Sequence, residues 1–462
     1  MDTVSTLVAL MASFNVALSS RAAASMAVLL RGAVLSPRAR TVTGCLMAAW
    51  PWVKKQWQAY ENVLRRARIN ILSLARVLFG LMLRLVPEDA PIYLAIDESL
   101  VRRWGPYVPA VGMHRDPVHS SHGRNAASPG HKWVVLSVVV RLPYMNRPVA
   151  LPILSVLYTP PNRPKRNRTE PLYRRHRTVA QLALLLVRLV VRWAPQRGFI
   201  VVGDGTYATH SLARALRPHS PYKGLRRTCL VSRFYFDAAT YTYPEPYSGT
   251  GRPRLKGQKL PSPKQVVQQA RPDQWQRAVV QWYGGQRKVV WLCSRTGLWY
   301  KAGQGAKWIR WVVVRLPQGE RRDEVFFTTD PALSPAQIVE AFVRRWSLET
   351  TFQEAREHLG LETLRNWSAN AVKRSVPFLL GLYSLIVVWF ALHVQEPESV
   401  PVQWPWYEKP HVSFSDMLRS ARAEIQGELL FQRPHSTPCE HKLCPLKASS
   451  AMRRRCAKTR AA

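Results

Sequence analysis

The sequence predicts an α/β protein: a mixed sheet covered by helices, with a helical segment in front of it. Three observations carry this. The β-branched runs Lys132–Arg141 (KWVVLSVVVR) and Pro148–Tyr158 have the composition of buried strands. Thr178–Trp193 (TVAQLALLLVRLVVRW) follows with helical periodicity. The order is three strands, helix, strand, helix, strand, which places neighbouring strands side by side with helices packed across them.

Residues 1–88 read as a helical N-terminal domain. Apolar residues recur at helical spacing through Val53–Arg68 and Ile71–Leu85, and Ser36-Pro37 and Pro51 punctuate the helices. The cations Arg38, Arg40, Lys54, Lys55, Arg65 and Arg66 fit either a DNA-binding domain or solvated helix faces, because no helix-turn-helix pattern is sharp. The core is expected over 89–236 and 326–395. Its first strand, Ile92–Ile96 (IYLAI), ends in Asp97. A later one, Phe199–Val202 (FIVV), ends in Gly203-Asp204-Gly205. A helix Tyr207–Leu216 and a strand Cys229–Phe236 follow. Residues 237–325, rich in Tyr, Trp, Gly and Pro, read as a β-rich insertion, and the core resumes at Val325–Thr329 (VFFTT). Ser334 and Pro335 are the N-cap and first-turn residues of the next helix. Residues 396–462 read as a loose, basic tail. Val376–Val394 carries no formal charge and is long enough to span a membrane. Its place behind the acidic helix described below favours a buried core helix, so no membrane partner is expected.

The chain has 462 residues, 67 basic and 28 acidic, for a net charge of +39. Such an excess repels itself in the compact state and implies a polyanionic partner, nucleic acid before an anionic membrane surface. With 47% apolar residues the chain is expected to pack rather than stay disordered. Its thinly spread cysteines (Cys45, Cys229, Cys293, Cys439, Cys444, Cys456) suggest a reducing compartment, and the opening MDTVST lacks a positive signal region. A cytoplasmic location is expected. His435, Cys439, His441 and Cys444 match no standard zinc finger and are expected to lie in an unstructured tail. Asn162–Arg177 (NRPKRNRTEPLYRRHR) is dense in cations. Lys165, Arg166, Arg168, Arg174 and Arg175 are expected to contact phosphates.

In so basic a chain, acids at strand ends are candidates for chemistry. Cutting a phosphodiester by in-line attack uses two metal ions about 3.5–4 Å apart, and hard cations such as Mg²⁺ take carboxylate oxygens. Asp97 and Asp204 both end apolar runs, where open sheets place ligands. Ala341–Glu357 (AFVRRWSLETTFQEARE) spaces Phe342, Arg345, Glu349, Phe352 and Arg356 three, four, three and four apart, which predicts one helix face carrying Arg, Glu and Arg between aromatics.

Phe342-(2)-Arg345-(3)-Glu349-(6)-Arg356 resembles the Tyr-(2)-Arg-(3)-Glu-(6)-Lys signature of DDE transposases from cut-and-paste insertion sequences. Phe replaces Tyr, which loses a hydroxyl, and Arg replaces Lys, which keeps the charge but changes its geometry. Ile96-Asp97-Glu98-Ser99 resembles the family's first catalytic Asp and Val202-Gly203-Asp204-Gly205 its second. Gly130-His131-Lys132-Trp133 is similar to an element between them, and LVSRFYFDAA (230–239) and FTTDP (327–331) match further family segments. The likeness runs over roughly residues 20–395.

The resemblance implies an RNase H-like core with a β-rich insertion between the second Asp and the Glu. It implies Asp97, Asp204 and Glu349 as catalytic metal ligands for Mg²⁺, with Mn²⁺ able to substitute. Arg345 and Arg356 would hold phosphates, and Trp346 would stack on a base flipped from the transposon end. The partners would be double-stranded DNA, both terminal inverted repeats and target, with a homodimer or higher assembly at synapsis and a nucleoid-associated location. Two other readings fit the residues: an RNase H-like nuclease such as a resolvase, and a non-catalytic DNA-binding descendant.

Overall fold

The computed structural model describes residues 6–431, apart from Arg38, Pro117, His122, 162–175, 318–321 and Trp404. The loop cations Lys165, Arg166, Arg168, Arg174 and Arg175 lie outside the described residues, as do His435, Cys439, His441 and Cys444.

The chain opens with helices α1 (Thr6–Ala12), α2 (Ser20–Leu35), α3 (Val42–Ala48), α4 (Trp57–Arg65) and α5 (Ile71–Leu83). Ser19, Thr41 and Asn70 cap three of these by accepting a first-turn N–H. Strands β1 (Ile92–Arg102), β2 (Gly112–Arg115), β3 (Ala127–Val140) and β4 (Val149–Leu157) follow. Next come α6 (Val179–Trp193), capped by Thr178, then β5 (Phe199–Gly203), α7 (His210–Ala215) and β6 (Thr228–Arg233). The insertion holds β7 (Thr240–Tyr241), α8 (Pro263–Gln269), β8 (Gln276–Gln281), β9 (Arg287–Lys301) and β10 (Gly305–Arg315). After it lie β11 (Glu324–Thr328), α9 (Pro335–Arg344), α10 (Trp346–Leu359), α11 (Ala369–His393) and α12 (Phe414–Phe431).

The strands form one sheet in the order β2-β3-β1-β5-β6-β11-β10-β9-β7, with β4 also on β3 and β8 on β9. Across β4-β3-β1-β5-β6 only β3 runs against the others. This is the RNase H-like mixed sheet. The insertion strands do not form a sheet of their own: β10 pairs with β11 and β9 with β10, so they extend the core sheet.

Alternation along the strands sorts side chains onto two faces. Ile92, Leu94 and Ile96 of β1 and Phe199 and Val201 of β5 pack with α6 and the N-terminal helices. Ala95 of β1 lies on the other face against Leu348 and Phe352 of α10, and Ile200 and Val202 of β5 pack with α9. Asp97 shares its parity with Ala95, and Asp204 with Val202, so both acids belong to the α9–α10 face. Helix α11 serves both cores. Val376, Leu379 and Leu380 join α10, while Leu382–Phe390 join the N-terminal helices. Ala369–His393 is long and apolar enough to cross a membrane, but most of its apolar stretch is buried in these cores.

Four expectations need correction. First, β1 does not end at Asp97. Its second half is polar, yet pairing with β3 continues to Arg102, which leaves Asp97 mid-strand. Second, Phe342 to Arg356 do not share one helix. The helix is interrupted at Arg345, where i to i+3 hydrogen bonds (Arg345 N to Phe342 O, 3.1 Å; Leu348 N to Arg345 O, 2.9 Å) tighten the chain. Phe342 therefore stacks on Phe326 at 4.1 Å in one core, and Phe352 enters another. Third, the tail is not loose throughout: Met417, Leu418, Ala421 and Ile425 recur at helical spacing and bury α12 against the N-terminal helices and α11. Fourth, Arg40 is not a surface cation. It is 6% exposed, its Nη2 donates to His358 O at 2.6 Å, and burial lowers its pKa to about 10.

Helix α10 is tied to its neighbours by a polar cluster. The buried Tyr383 of α11 donates to Glu354 Oε2 at 2.6 Å, and Arg147 Nη2 meets Glu354 Oε1 at 2.7 Å. Tyr383→Phe removes one hydrogen bond to a charged acceptor and is expected to cost about 1.5–3 kcal/mol, read as a lower urea midpoint at unchanged slope. An unchanged midpoint would remove this cluster from the forces holding α10.

Candidate active site

Pairing of β1 with β5 ends at Ala95–Val202, and β5 itself ends at Gly203. Beyond that point the two parallel strands leave a crevice at their carboxyl ends, with Asp97 on one lip and Asp204 on the other. Gly203 is required here, because a Cβ would meet the Tyr207 side chain at 2.8 Å. The Asp204 carboxylate caps the turn Gly205–Tyr207, accepting from Thr206 N at 2.8 Å, and its backbone carbonyl accepts from Ser232 Oγ at 2.6 Å. The acid is thus fixed by its own turn and by β6.

Glu349 lies in the first turn of α10, one turn from the interruption at Arg345. The interruption aims the Arg345 guanidinium between the acids. Its Nη1 donates to Asp97 Oδ2, and its Nη2 meets Glu349 Oε1 at 2.8 Å. The Arg345 and Asp97 side chains are 12% and 16% exposed. Arg345 Nε is buried with no partner among the described residues. Burial pushes the Asp97 carboxyl up to about 7; Arg345 opposes this, and the charges of Asp204 and Glu349 add to it. Asp97 therefore feels the charge of both other acids.

These carboxylates are hard oxygen donors suited to a divalent ion. Among the described residues no three His, Cys, Asp or Glu side chains stand close enough to hold a metal as they are. A guanidinium cation instead bridges Asp97 and Glu349. The donor set fits a cation, with Arg345 standing in for it.

The other residues singled out from sequence are dispersed around this point. Arg356 Nη2 donates to Ser99 Oγ at 2.7 Å and its Nε to Glu362 at 3.3 Å, and burial lowers its pKa. Trp346 is 45% exposed, with its ring edge-on to Tyr283 at 5.7 Å. Trp133 of the Gly-His-x-Trp element is a core residue. Sequence reasoning passed over the pairing of Lys132 with Glu98 (2.6 Å), completed by Tyr207, whose hydroxyl donates to Glu98 at 3.1 Å. This pair sits behind Asp97 on β1. The adjacency of Glu98 to Asp97, and the position of Lys132 between His131 and Trp133, were its only signals in the sequence.

Residues 10–289 match the family model described as DDE superfamily endonuclease. That span contains Asp97 and Asp204; Glu349 lies beyond it. A cryo-EM structure described as a piggyBac transposase synaptic complex with hairpin DNA is similar at 12% identity and a TM-score of 0.39, over 90% of this chain and 73% of that one. No curated protein matches the chain in sequence.

Arg345→Ala leaves the buried Asp97 without its cation and is expected to cost about 3 kcal/mol in the DNA-free protein. Adding Asp97→Asn should return most of that loss. Urea midpoints of the two single variants and the double variant measure the coupling. Strictly additive costs would contradict it.

Proposed function

The chain belongs to the DDE superfamily endonucleases, and from that premise we propose that it is a DNA transposase that cuts transposon ends and joins them to target DNA. The observation that carries this reading is the gathering of Asp97 and Glu349 on one cation, with Asp204 across the crevice. Asp97, Asp204 and Glu349 would hold two divalent ions, Mg²⁺ with Mn²⁺ able to substitute. Bound there, such ions help ionise the attacking water and stabilise the attacking and leaving oxygens of an in-line displacement.

The chain's own residues do the rest. A DNA phosphate offers Arg345 an anion of matching fork geometry, so docking of the end draws it away from the carboxylates. Arg356 reaches a second phosphate by giving up Ser99 and Glu362. Trp346, half-exposed and next to Arg345 in the chain, supplies a stacking surface for an unpaired base. Water attacks the scissile phosphorus and the departing oxygen becomes a 3′-hydroxyl. That hydroxyl then attacks a phosphodiester of the target in the same site, and the target strand's own 3′-oxygen leaves and takes up the proton. The loop cations Lys165, Arg166, Arg168, Arg174 and Arg175 hold flanking or target DNA. Bringing two ends together takes at least a dimer on DNA.

The test is cleavage of labelled duplex bearing the element's own terminal repeats, with Mg²⁺ and with EDTA, followed by strand transfer. Wild type should cut at the repeat boundary only with metal, and should then join. Glu349→Gln should lose on the order of 10³-fold or more in cutting, because a metal ligand is worth several kcal/mol. It should still bind DNA, since binding is mainly cationic. Normal cutting by Glu349→Gln would remove Glu349 from the site. Cutting without joining would make the chain a resolvase-like nuclease, and binding without cutting a non-catalytic DNA-binding protein.

A further inference from the structure

A cavity of about 920 Å³ opens between the loop 252–257, the turn joining β9 to β10, and the end of α7. Its walls carry Arg214, Arg217, Arg252, Arg254, Lys256 and Lys307 and, among the described residues, no carboxylate. Among the described residues none of the six forms an ion pair. Lys307 is 3% exposed and donates to the backbone carbonyls of Gln304 and Gly305 in place of an acid. Burial lowers its pKa, and Arg214 and Arg217 lower it further. Arg217 Nε is buried with no partner among the described residues. Lys256 Nζ lies 4.1 and 4.6 Å from the Tyr241 and Tyr300 ring centroids, which hold the ammonium without neutralising it. Gly303 and Gly305, both left-handed (φ 73° and 72°), bring bare backbone to the cavity wall.

Confining six like charges raises the free energy of the empty protein, and an anion relieves it. The register puts this cavity away from the catalytic crevice. From β10 to β5 there are three strand intervals, roughly 14 Å, and Lys307 lies toward the opposite strand ends from Asp204. Lys307 also shares its parity with Ile309 and Trp311, which pack on the α6 side, so the cavity lies on the sheet face opposite Asp97 and Asp204.

We propose that this cavity is a second DNA-backbone site, on the sheet face opposite the crevice, whose cations hold consecutive phosphates of a duplex. The proposal rests on the reading of the chain as a DNA-acting enzyme. Its ligand chemistry is a run of phosphodiesters, for which inorganic tripolyphosphate is the competing small-molecule source.

The experiment is a salt titration of binding by the full chain to a fluorescent duplex, read by anisotropy. The triple variant Arg252→Ala, Arg254→Ala, Lys256→Ala is compared with wild type and with a control neutralising three exposed cations elsewhere (Arg84→Ala, Arg192→Ala, Arg226→Ala). Each phosphate contact contributes about 0.9 to the slope of log K against log salt, so the triple variant should lose about 2 to 3 from that slope. The control should lose less. Equal slopes for wild type and triple variant, or an equal loss in the control, overturn the proposal. So does tripolyphosphate raising the wild-type Tm but not the variant's while the two DNA slopes agree, which would assign the cavity to a free polyphosphate. Cleavage is not part of the readout. A steep wild-type slope lost in the triple variant supports the site even if the chain never cuts DNA, and failure of the transposase reading is seen separately in the Mg²⁺ assay.

Discussion

The face that carries the three acids is organised by one guanidinium. Arg345 stands where the helix after β11 is interrupted, and its side chain binds an acid from the first strand and an acid from its own helix. The chain brings these groups together from positions 97 and 349, because β1 is the middle one of the five core strands β4-β3-β1-β5-β6 and α10 lies across it. Burial makes the arrangement depend on its cation. With both side chains mostly withdrawn from water, Asp97 without Arg345 would be an uncompensated charge, while Arg345 without Asp97 would keep only Glu349. The site is thus built around a positive charge before any ligand arrives.

This arrangement also explains the short interruption between α9 and α10. A continuous helix would carry Phe342 and Phe352 on one stripe and would have to bury both in one core. With the break, Phe342 packs on Phe326 beneath the insertion strands, Phe352 packs beside β1, and Arg345 is left between the two cores, facing the crevice. The Glu354–Arg147–Tyr383 cluster then fixes the far side of α10, so that Glu349 is presented from a helix held at both ends.

Much of this was legible in the sequence where the physics is local. The β-branched runs, the Ser334 cap and the acids following apolar runs led to the mixed sheet and to Asp97 and Asp204, because strand composition and helix capping are encoded within a few residues, while Glu349 was picked out by its spacing from Phe342, Arg345 and Arg356 and by the transposase signature that this spacing resembles. What escaped depends on pairing between distant segments. Whether β1 stops at Asp97 is decided by β3, and whether Arg40 is a surface cation is decided by the carbonyl of His358. The helix at 414–431 was hidden because its apolar stripe is short and set in a polar stretch. The interruption at Arg345 leaves no mark in the helical spacing. The cationic cavity was invisible for the same reason, since Arg214, Arg254 and Lys307 come from three separate elements.

The central claim is that Arg345 occupies the cation position shared by Asp97 and Glu349 and yields it when DNA and metal bind. The most direct measurement is a structure of the full chain with a duplex end and Mn²⁺, the ions located by anomalous scattering. The account predicts anomalous density between Asp97, Asp204 and Glu349, with Arg345 turned from both acids to a phosphate. Density elsewhere, with Arg345 still joining Asp97 to Glu349, would contradict it.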